Sequence, residues 1–148
     1  MINTKMDTHI HTHYSPDANK DASFSAYVEK AKALGLETIV FTDHVDFDPA
    51  HPLFKVPIDY EQYIDALKQV KKTEKNIEVK LGVEIGYQSH MLTKIKDFLK
   101  RYPFEHVILS IHYMERKDLY TQAFFRGKTK KQAYDIYFKT LLEAVEAI

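Results

Sequence analysis

The feature that most constrains the fold of this chain is a regular alternation of strand-like and helix-like segments. Runs rich in β-branched and aromatic residues each precede a segment whose apolar residues recur three and four positions apart. The predicted strands are residues 7–11, 37–42, 77–83 and 106–111. Strands separated by helices favour a parallel sheet with helices outside it, so the sequence predicts an α/β fold in the order βαβαβαβα.

Residues at the predicted helix ends agree with this order. Gly35 stands where a glycine commonly follows a helix, and Pro103 ends the third helix because proline cannot continue it. The residues predicted to cap the helix N-termini are Ser23, Asp59, Ser89 and Thr129.

Length and composition narrow the class of protein. The chain has 148 residues, which indicates one domain large enough to bury a core. Lys plus Arg and Asp plus Glu both number 21, so the net charge is zero and bulk attraction to nucleic acid is not expected.

Segments that would target the chain to a membrane or for secretion are not visible in the sequence. No run approaches the roughly 18 apolar residues of a membrane span, and the first residues contain no apolar core of a signal peptide. The chain has no cysteine, which excludes a disulfide scaffold and a thiol nucleophile and fits a reducing compartment. We therefore expect a cytoplasmic protein with no membrane partner.

Imidazoles and carboxylates stand at the carboxyl end of every predicted strand. In α/β folds those ends converge on one face, which is where active sites lie. We therefore expect these side chains to gather in one place. In chain order they are His9 and His11, Asp43 and His44, Glu84, and His112.

These residue types suit a transition-metal site. Imidazole and carboxylate groups bind zinc, iron and manganese, and a His-x-His pair on a strand points both rings to the same side. A carboxylate such as Glu84 can bridge two cations through its two oxygens. Metal ions about 3.5–4 Å apart can hold a hydroxide and clamp the oxygens of a phosphoryl group.

Each motif alone also has a simpler interpretation. The His-x-His pair could be two surface histidines, and Asp43 could cap a turn. Glu84 could be solvated, and His112 could hydrogen-bond to a backbone carbonyl. The combination at four strand ends favours the metal site. His13, close to the first motif, is a candidate to hydrogen-bond a ligand or substrate.

A polar, basic loop follows the fourth strand, on the expected active rim. Arg116 and Arg126 in this loop are candidates to bind phosphate by charge-assisted contacts, as are Lys117 and Lys128. A solvated basic loop remains the simpler interpretation for any single residue.

The motifs together resemble those of the PHP (polymerase and histidinol phosphatase) family, in the correct order over residues 7–112. The segments Gly82–Tyr87 and the last helix around Tyr134 and Tyr137 are most similar to its histidinol-phosphate phosphatase branch. The resembling motifs are Asp7-Thr8-His9-Ile10-His11-Thr12 with Ser15-Pro16-Asp17, Thr42-Asp43-His44, Gly82-Val83-Glu84, and Ser110-Ile111-His112.

The resemblance implies a distorted, TIM-like parallel (β/α) barrel, of which residues 1–148 would form the N-terminal portion of a single PHP domain, about the first four βα units. It implies two or three divalent transition-metal ions (Zn, Fe or Mn), with Asp43 orienting His44 from behind. The implied ligands are His9 and His11 for the first ion, Glu84 bridging the first and second, His112 for the second, and Asp17 and His44 for the third.

The implied reaction is hydrolysis of a phosphate monoester by a metal-activated hydroxide, with Glu84, His112 and Asp43 as the catalytic set. L-Histidinol phosphate, which yields histidinol and phosphate in histidine biosynthesis, is the leading substrate. One alternative is a truncated, catalytically incompetent half barrel that binds metal. Another is a PHP phosphoesterase or nuclease with a different substrate, although zero net charge argues against nucleic acid.

The chain departs from the family pattern because no Asp-x-His pair follows Glu84. Either the chain is a fragment of a longer product, or a second copy completes the barrel, or water and anions replace the missing ligands. An open half barrel exposes sheet edges and apolar helix flanks, so we expect self-association into a homo-oligomer.

Overall fold

The structure, a computed structural model, describes residues 5–50 and 52–148, apart from the side chain of Leu53. The prediction that the first residues contain no signal peptide falls in part on residues 1–4, which lie outside the described residues. The α-helices are α1 (Phe24–Ala33), α2 (Tyr60–Thr73), α3 (Leu92–Arg101) and α4 (Lys130–Ala147). The strands are β1 (Met6–Ile10), β2 (Thr38–Phe41), β3 (His44–Asp46), β4 (Glu78–Gly86), β5 (His106–Ser110), β6 (Tyr113–Met114) and β7 (Lys117–Asp118).

The predicted alternation is confirmed, with β1, β2, β4 and β5 as the predicted strands and a helix after each. β1 pairs in parallel with β2, and β2 pairs in parallel with β4. β3 and β5 both pair with β4, while β6 and β7 form an antiparallel hairpin. The short strands β3, β6 and β7 were not predicted, because two or three residues carry no readable alternation.

Three of the four predicted helix caps are confirmed. The side chains of Ser23, Asp59 and Thr129 accept hydrogen bonds from backbone N–H groups in the first turns of α1, α2 and α4. The prediction for Ser89 is wrong, because a 3-10 turn over Ser89–Met91 precedes α3 and places Met91 at its N-cap. The N-cap of α3 therefore lies two residues beyond the predicted position.

The described residues divide into two compact units. The first comprises the described parts of Met1–His44, Pro57–Glu84 and Pro103–Ile108. Its core is built from the fully buried strand β2 and from the inner faces of α1 and α2. Aromatic rings lock this core, since the ring of Phe24 lies 4.7 Å from that of Phe41 and 5.0 Å from that of Tyr63, both edge-on.

Gly82 marks a close approach between β4 and β2 in the first unit. A Cβ atom at this position would lie 2.8 Å from side-chain carbons of Val40 and Thr42, and 2.9 Å from the Phe41 carbonyl oxygen. These separations are too short for a real side chain. The first glycine of the Gly82–Tyr87 segment is therefore a packing requirement that keeps β4 seated against β2.

The second unit comprises Val45–Val56, Ile85–Tyr102 and Leu109–Ile148. Helix α4 buries Ala133 and Ala144 but exposes a stripe of large apolar side chains. No described helix is long and apolar enough to cross a membrane. The exposed stripe, here called the α4 stripe, consists of Tyr134, Phe138, Leu142 and Val145, which are 50–65% exposed.

The β6–β7 hairpin in this unit has an unusual turn. Glu115 and Arg116, its two central residues, have φ angles of 51° and 57°. Two-residue hairpin turns with positive φ at both positions normally use Asn and Gly, which tolerate the left-handed region. The chain therefore places two long charged side chains where the backbone disfavours them.

Candidate metal centre

The parallel pairing of the first unit brings the predicted metal ligands to one edge of the sheet. His9 lies in β1 and His11 directly follows it. His44 lies three residues beyond the end of β2, and Glu84 lies near the carboxyl end of β4. Since β1, β2 and β4 run in the same direction, their carboxyl ends meet, as the sequence pattern predicts.

A single oxygen of Glu84 is the centre of this cluster. The Oε2 atom lies 3.1 Å from His9 Nε2, 2.8 Å from His11 Nε2 and 3.6 Å from His44 Nε2. The Glu84 side chain is only 5% exposed. Three imidazole nitrogens thus surround one buried carboxylate oxygen.

Asp17 completes the cluster from the loop after β1. Its Oδ2 atom lies 3.0 Å from His11 Nδ1 and 3.3 Å from His44 Nε2. The structure therefore places Asp17 beside His44, with which it is predicted to share a metal ion. His11 contacts Asp17 through one ring nitrogen and Glu84 through the other.

The charges of these groups depend on one another. Burial by itself lowers the pKa of His11, but hydrogen bonds to Asp17 and Glu84 and their negative charges outweigh it and raise that pKa to about 9. Burial opposes ionisation of Asp17, yet the hydrogen bonds from His11 and His44 hold its pKa well below the usual range. In the metal-free protein at neutral pH, His11 is therefore protonated, and its positive charge lies between Asp17 and Glu84.

The donor atoms fit a small divalent cation. His9 Nε2, His11 Nε2 and Glu84 Oε2 are separated by 2.8–3.1 Å. Ligands 2.0–2.1 Å from a tetrahedral zinc ion are about 3.3 Å apart, so these atoms need to separate only slightly to hold one. Asp17 accepts from His11 Nδ1, which orients the ring so that Nε2 faces the other donors.

A cleft of about 410 Å³ opens beside this cluster. His9, His11 and Asp17 line it, together with Asp7 and Tyr27. A small molecule could reach the donor groups through this cleft.

The carboxylate of Asp43 is fully buried and tightly bound beneath the cluster. Oδ1 accepts hydrogen bonds of 2.7 Å from the Thr12 N–H and from Ser15 Oγ, and Oδ2 accepts one of 2.7 Å from the Tyr63 hydroxyl. Ser15 Oγ in turn accepts a 3.0 Å hydrogen bond from the His44 N–H. Asp43 is therefore linked to the backbone N–H of His44 through Ser15. The prediction had Asp43 orient His44 itself.

His112 lies in the second unit, two residues after the end of β5 and directly before β6. Its Nδ1 atom is 3.0 Å from Oδ1 of Asp46, a residue of β3 whose side chain is 1% exposed. Asp46 was not predicted as a site residue, although it stands two positions after His44. The contacts of Thr12, Ser15 and Tyr63 with Asp43 were not predicted either, because hydroxyl groups in loops and on helix faces carry no distinctive signal.

The predicted substrate-binding residues His13, Arg116 and Arg126 lie outside the donor groups formed by the described residues. His13 is exposed, and its Nδ1 lies 3.3 Å from the Ala22 carbonyl oxygen. Arg116, at the hairpin turn, is 74% exposed, and its Nε lies 4.0 Å from Asp48 Oδ2. Arg126 is exposed after the 3-10 turn Ala123–Phe125. Their binding of a substrate stays a prediction.

Zinc binding is expected to release protons at neutral pH. His11 must lose its proton to offer Nε2 to a metal, and its pKa of about 9 means that it is protonated at pH 7. We expect about one proton released per cluster at pH 7, falling as the pH approaches 9. Calorimetry in two buffers of different ionisation enthalpy measures this release.

The Asp17→Asn variant is the control, because it removes a charge that raises the pKa of His11 and should reduce the release at pH 7. Release that stays constant between pH 7 and 9 would contradict the assignment. The metal-free protein gives a second readout. The stabilising contribution of His11 is complete below its ordinary pKa of 6.5 and is lost as the pH rises through about 9.

Comparisons with known proteins show which proteins this chain resembles. The PHP domain family matches residues 7–147. The chain is 32% identical over 138 residues to a probable histidinol-phosphatase of Clostridium acetobutylicum, covering 92% of this chain and 50% of the relative. It is 30% identical over 144 residues to a histidinol-phosphatase of Lactococcus lactis, covering 96% of this chain and 52% of that protein.

A solved structure shows the same fold. The chain superposes with a TM-score of 0.86 and 30% identity on the crystal structure of a Lactococcus lactis histidinol phosphate phosphatase complexed with zinc, L-histidinol and phosphate. The match covers 95% of this chain and 53% of that one, so the chain spans about half the length of the relatives it matches. The predicted barrel-like α/β fold class is thereby confirmed, and the chain belongs to the PHP domain family.

Proposed function

We propose that this chain forms part of a metal-dependent phosphatase that hydrolyses a phosphate monoester, with L-histidinol phosphate as the substrate. The observation that carries the proposal is the arrangement of three imidazole nitrogens within 3.6 Å of Glu84 Oε2. The similarity to histidinol-phosphatases, one of them solved with zinc, L-histidinol and phosphate, supports the choice of reaction and substrate.

The proposed cofactor is a set of two or three divalent ions of zinc, iron or manganese. Such ions, when bound, lower the pKa of water and neutralise charge on a phosphoryl group. His112 is also proposed as a metal ligand. In the first unit the proposed ligands are His9, His11, Asp17, His44 and Glu84.

The chain's own residues have distinct parts in this proposal. Glu84 supplies a buried negative charge that keeps the imidazoles together, and it is the proposed bridging ligand. Asp17 holds the ring of His11 in one orientation through Nδ1. Asp43 fixes the backbone of the loop after β1 and the start of β3, so that the donor atoms stay close before any ligand arrives.

Residues 1–148 are proposed to be the N-terminal portion of a single PHP domain. The family match across residues 7–147 supports this proposal, as does the coverage of about half of each relative.

The test is phosphate release from L-histidinol phosphate by the chain loaded with zinc, iron or manganese in turn. Glycerol phosphate and a short single-stranded oligonucleotide serve as comparison substrates. We expect metal-dependent release that is fastest with L-histidinol phosphate. Faster hydrolysis of either comparison substrate would overturn the substrate assignment and favour another PHP phosphoesterase or nuclease.

A second candidate is a half barrel that binds metal without turnover. The coverage of only about half of each relative favours it, because the remainder of those proteins has no counterpart in this chain. Stoichiometric zinc in the purified chain without phosphate release would support this candidate and contradict the first.

Self-association into a homo-oligomer is part of the same proposal. The α4 stripe exposes four large apolar side chains along one helix face, and monomeric proteins rarely leave such patches in water. Light scattering should give a mass above the monomer value of 17.3 kDa. A monomer mass at high dilution with unchanged thermal stability would overturn this part.

A further inference from the structure

We infer that Asp46 is a positioning residue for His112, and that position 86 is a glycine to leave room for their contact. The inference rests on the proposed function in one respect, since it takes His112 to be a metal ligand. The three residues all lie in the second unit. Neither the motif pattern nor the proposed reaction accounts for Asp46 or Gly86.

The contact between Asp46 and His112 is close and sheltered. Asp46 Oδ1 lies 3.0 Å from His112 Nδ1, and the two side chains are 1% and 23% exposed. A carboxylate buried this deeply loses much of its hydration, which costs free energy. A hydrogen bond to the His112 ring offsets part of that cost. The imidazole is thus anchored at one nitrogen, while part of the ring still reaches the surface.

The hydrogen bond between His112 Nδ1 and Asp46 decides which ring nitrogen can bind a metal. The inference takes Asp46 as ionised. An ionised carboxylate only accepts hydrogen bonds, so His112 Nδ1 then carries the proton in this contact. In the neutral ring, Nε2 then holds the lone pair. Histidines that bind metals commonly use this arrangement, in which a carboxylate behind the ring fixes both its tautomer and its direction.

Gly86, at the end of β4, is explained by the same contact. A Cβ atom there would overlap Asp46 Oδ1 and would lie 2.9 Å from His112 Nδ1. The described glycines with positive φ are Gly35 and Gly127, so backbone conformation is not the reason for glycine at position 86. Space for the Asp46–His112 pair is the reason, and even one methyl group would push the two side chains apart.

The first test reads the tautomer of His112 directly, by ¹⁵N NMR of the metal-free protein. The His112 signals are assigned by their loss in the His112→Asn variant. We expect the Nδ1–H tautomer in the wild-type protein. The Asp46→Ala variant should shift the ring towards Nε2–H, and Asp46→Asn should retain Nδ1–H in part, because an amide oxygen still accepts a hydrogen bond.

Asp48→Asn is the matched control. Asp48 stands two positions further along the chain, is 42% exposed, and contacts His90 Nε2 at 2.8 Å. This substitution makes the same change of charge and should alter the signals of His90 while those of His112 stay unchanged. A wild-type His112 with Nε2–H, or a tautomer that Asp46→Ala does not change, would overturn the inference.

The second test measures zinc affinity by competition with a chelator. We expect Asp46→Ala and Gly86→Ala to weaken zinc binding by about 10–100-fold, the usual effect of losing a partner behind a ligand. Asp46→Asn should fall between these variants and the wild type. Thermal melting of each variant identifies any that fails to fold, and Asp46→Asn, which changes only one atom, keeps the test open if Gly86→Ala does not fold.

The two tests separate this inference from the proposed function. A shifted tautomer with weaker zinc binding supports both. A shifted tautomer with zinc affinity unchanged in Asp46→Ala and in His112→Asn would overturn the metal role of His112 and leave the positioning contact standing. An unshifted tautomer with weaker zinc binding would overturn the positioning role.

Discussion

Replacing Glu84 with Gln is expected to remove most bound zinc and to reduce phosphate release by at least about 100-fold. Substituting a residue that only hydrogen-bonds to a metal ligand already lowers metal affinity or activity by about 10–100-fold. The reason is the position of one atom. Glu84 Oε2 is the common neighbour of three imidazole nitrogens, and the amide that replaces the carboxylate has no negative charge to balance a divalent ion. Metal analysis and a phosphate-release assay on the same preparation measure the two effects.

Glu78→Gln is the matched control for this substitution. Glu78 lies on the same strand, but its side chain is 57% exposed and pairs with Lys80. We expect this control to bind zinc and release phosphate like the wild type. Turnover of Glu84→Gln at the wild-type rate would rule out a bridging role for Glu84. It would also show that phosphate release does not depend on the carboxylate at the centre of the histidine cluster.

Replacing Asp43 with Ala is expected to cost about 3 kcal/mol of unfolding free energy, because it leaves several buried donors without an acceptor. The donors left without this acceptor are the N–H and hydroxyl of Thr12 and the hydroxyls of Ser15 and Tyr63. For a domain of this size, such a loss lowers the melting temperature by roughly 10 °C. Thermal melting of the metal-free protein measures it without interference from zinc.

Tyr63→Phe is the graded comparison for this prediction. It removes one hydrogen bond to Asp43 and preserves the ring that packs against Phe24, so we expect a loss of about 1 kcal/mol. Burial, together with the neighbouring Asp43 charge, raises the pKa of Tyr63, so this hydroxyl remains a donor across the working pH range. A melting temperature for Asp43→Ala within 2–3 °C of the wild type, equivalent to about 1 kcal/mol or less, would show that the network does not stabilise the fold.

The order of elements and the convergence of His9, His11 and Glu84 in the first unit were predictable for the same reason. Strands of four or more residues carry a readable composition, and parallel strands bring their carboxyl ends together. His9, His11 and Glu84 follow that rule, so strand assignment alone placed them near one another before any distance was known. Asp17 came from the family resemblance instead, because an acid in a loop is not located by periodicity.

The residues that support the ligands were not predictable from one sequence. Asp46 lies in a three-residue strand within an acidic loop, where neighbouring acids such as Asp48 look equivalent. Only the structure shows that one of them is buried against His112 while the other is exposed. The ring of Tyr63 is buried in the core, but its hydroxyl contact with Asp43 depends on a packing depth that helical spacing does not encode.

The β6–β7 turn has a consequence for engineering this chain. Residues with side chains held in the left-handed region each cost of order 1–3 kcal/mol, and Glu115 and Arg116 occupy adjacent positions of this kind. Replacing the pair with Asn-Gly would relieve that strain but would also delete the guanidinium group of Arg116. The same two residues therefore lower the stability of the hairpin and supply a surface cation. A variant with Asn-Gly at these positions should melt at a higher temperature and would show what the chain loses without the Arg116 side chain.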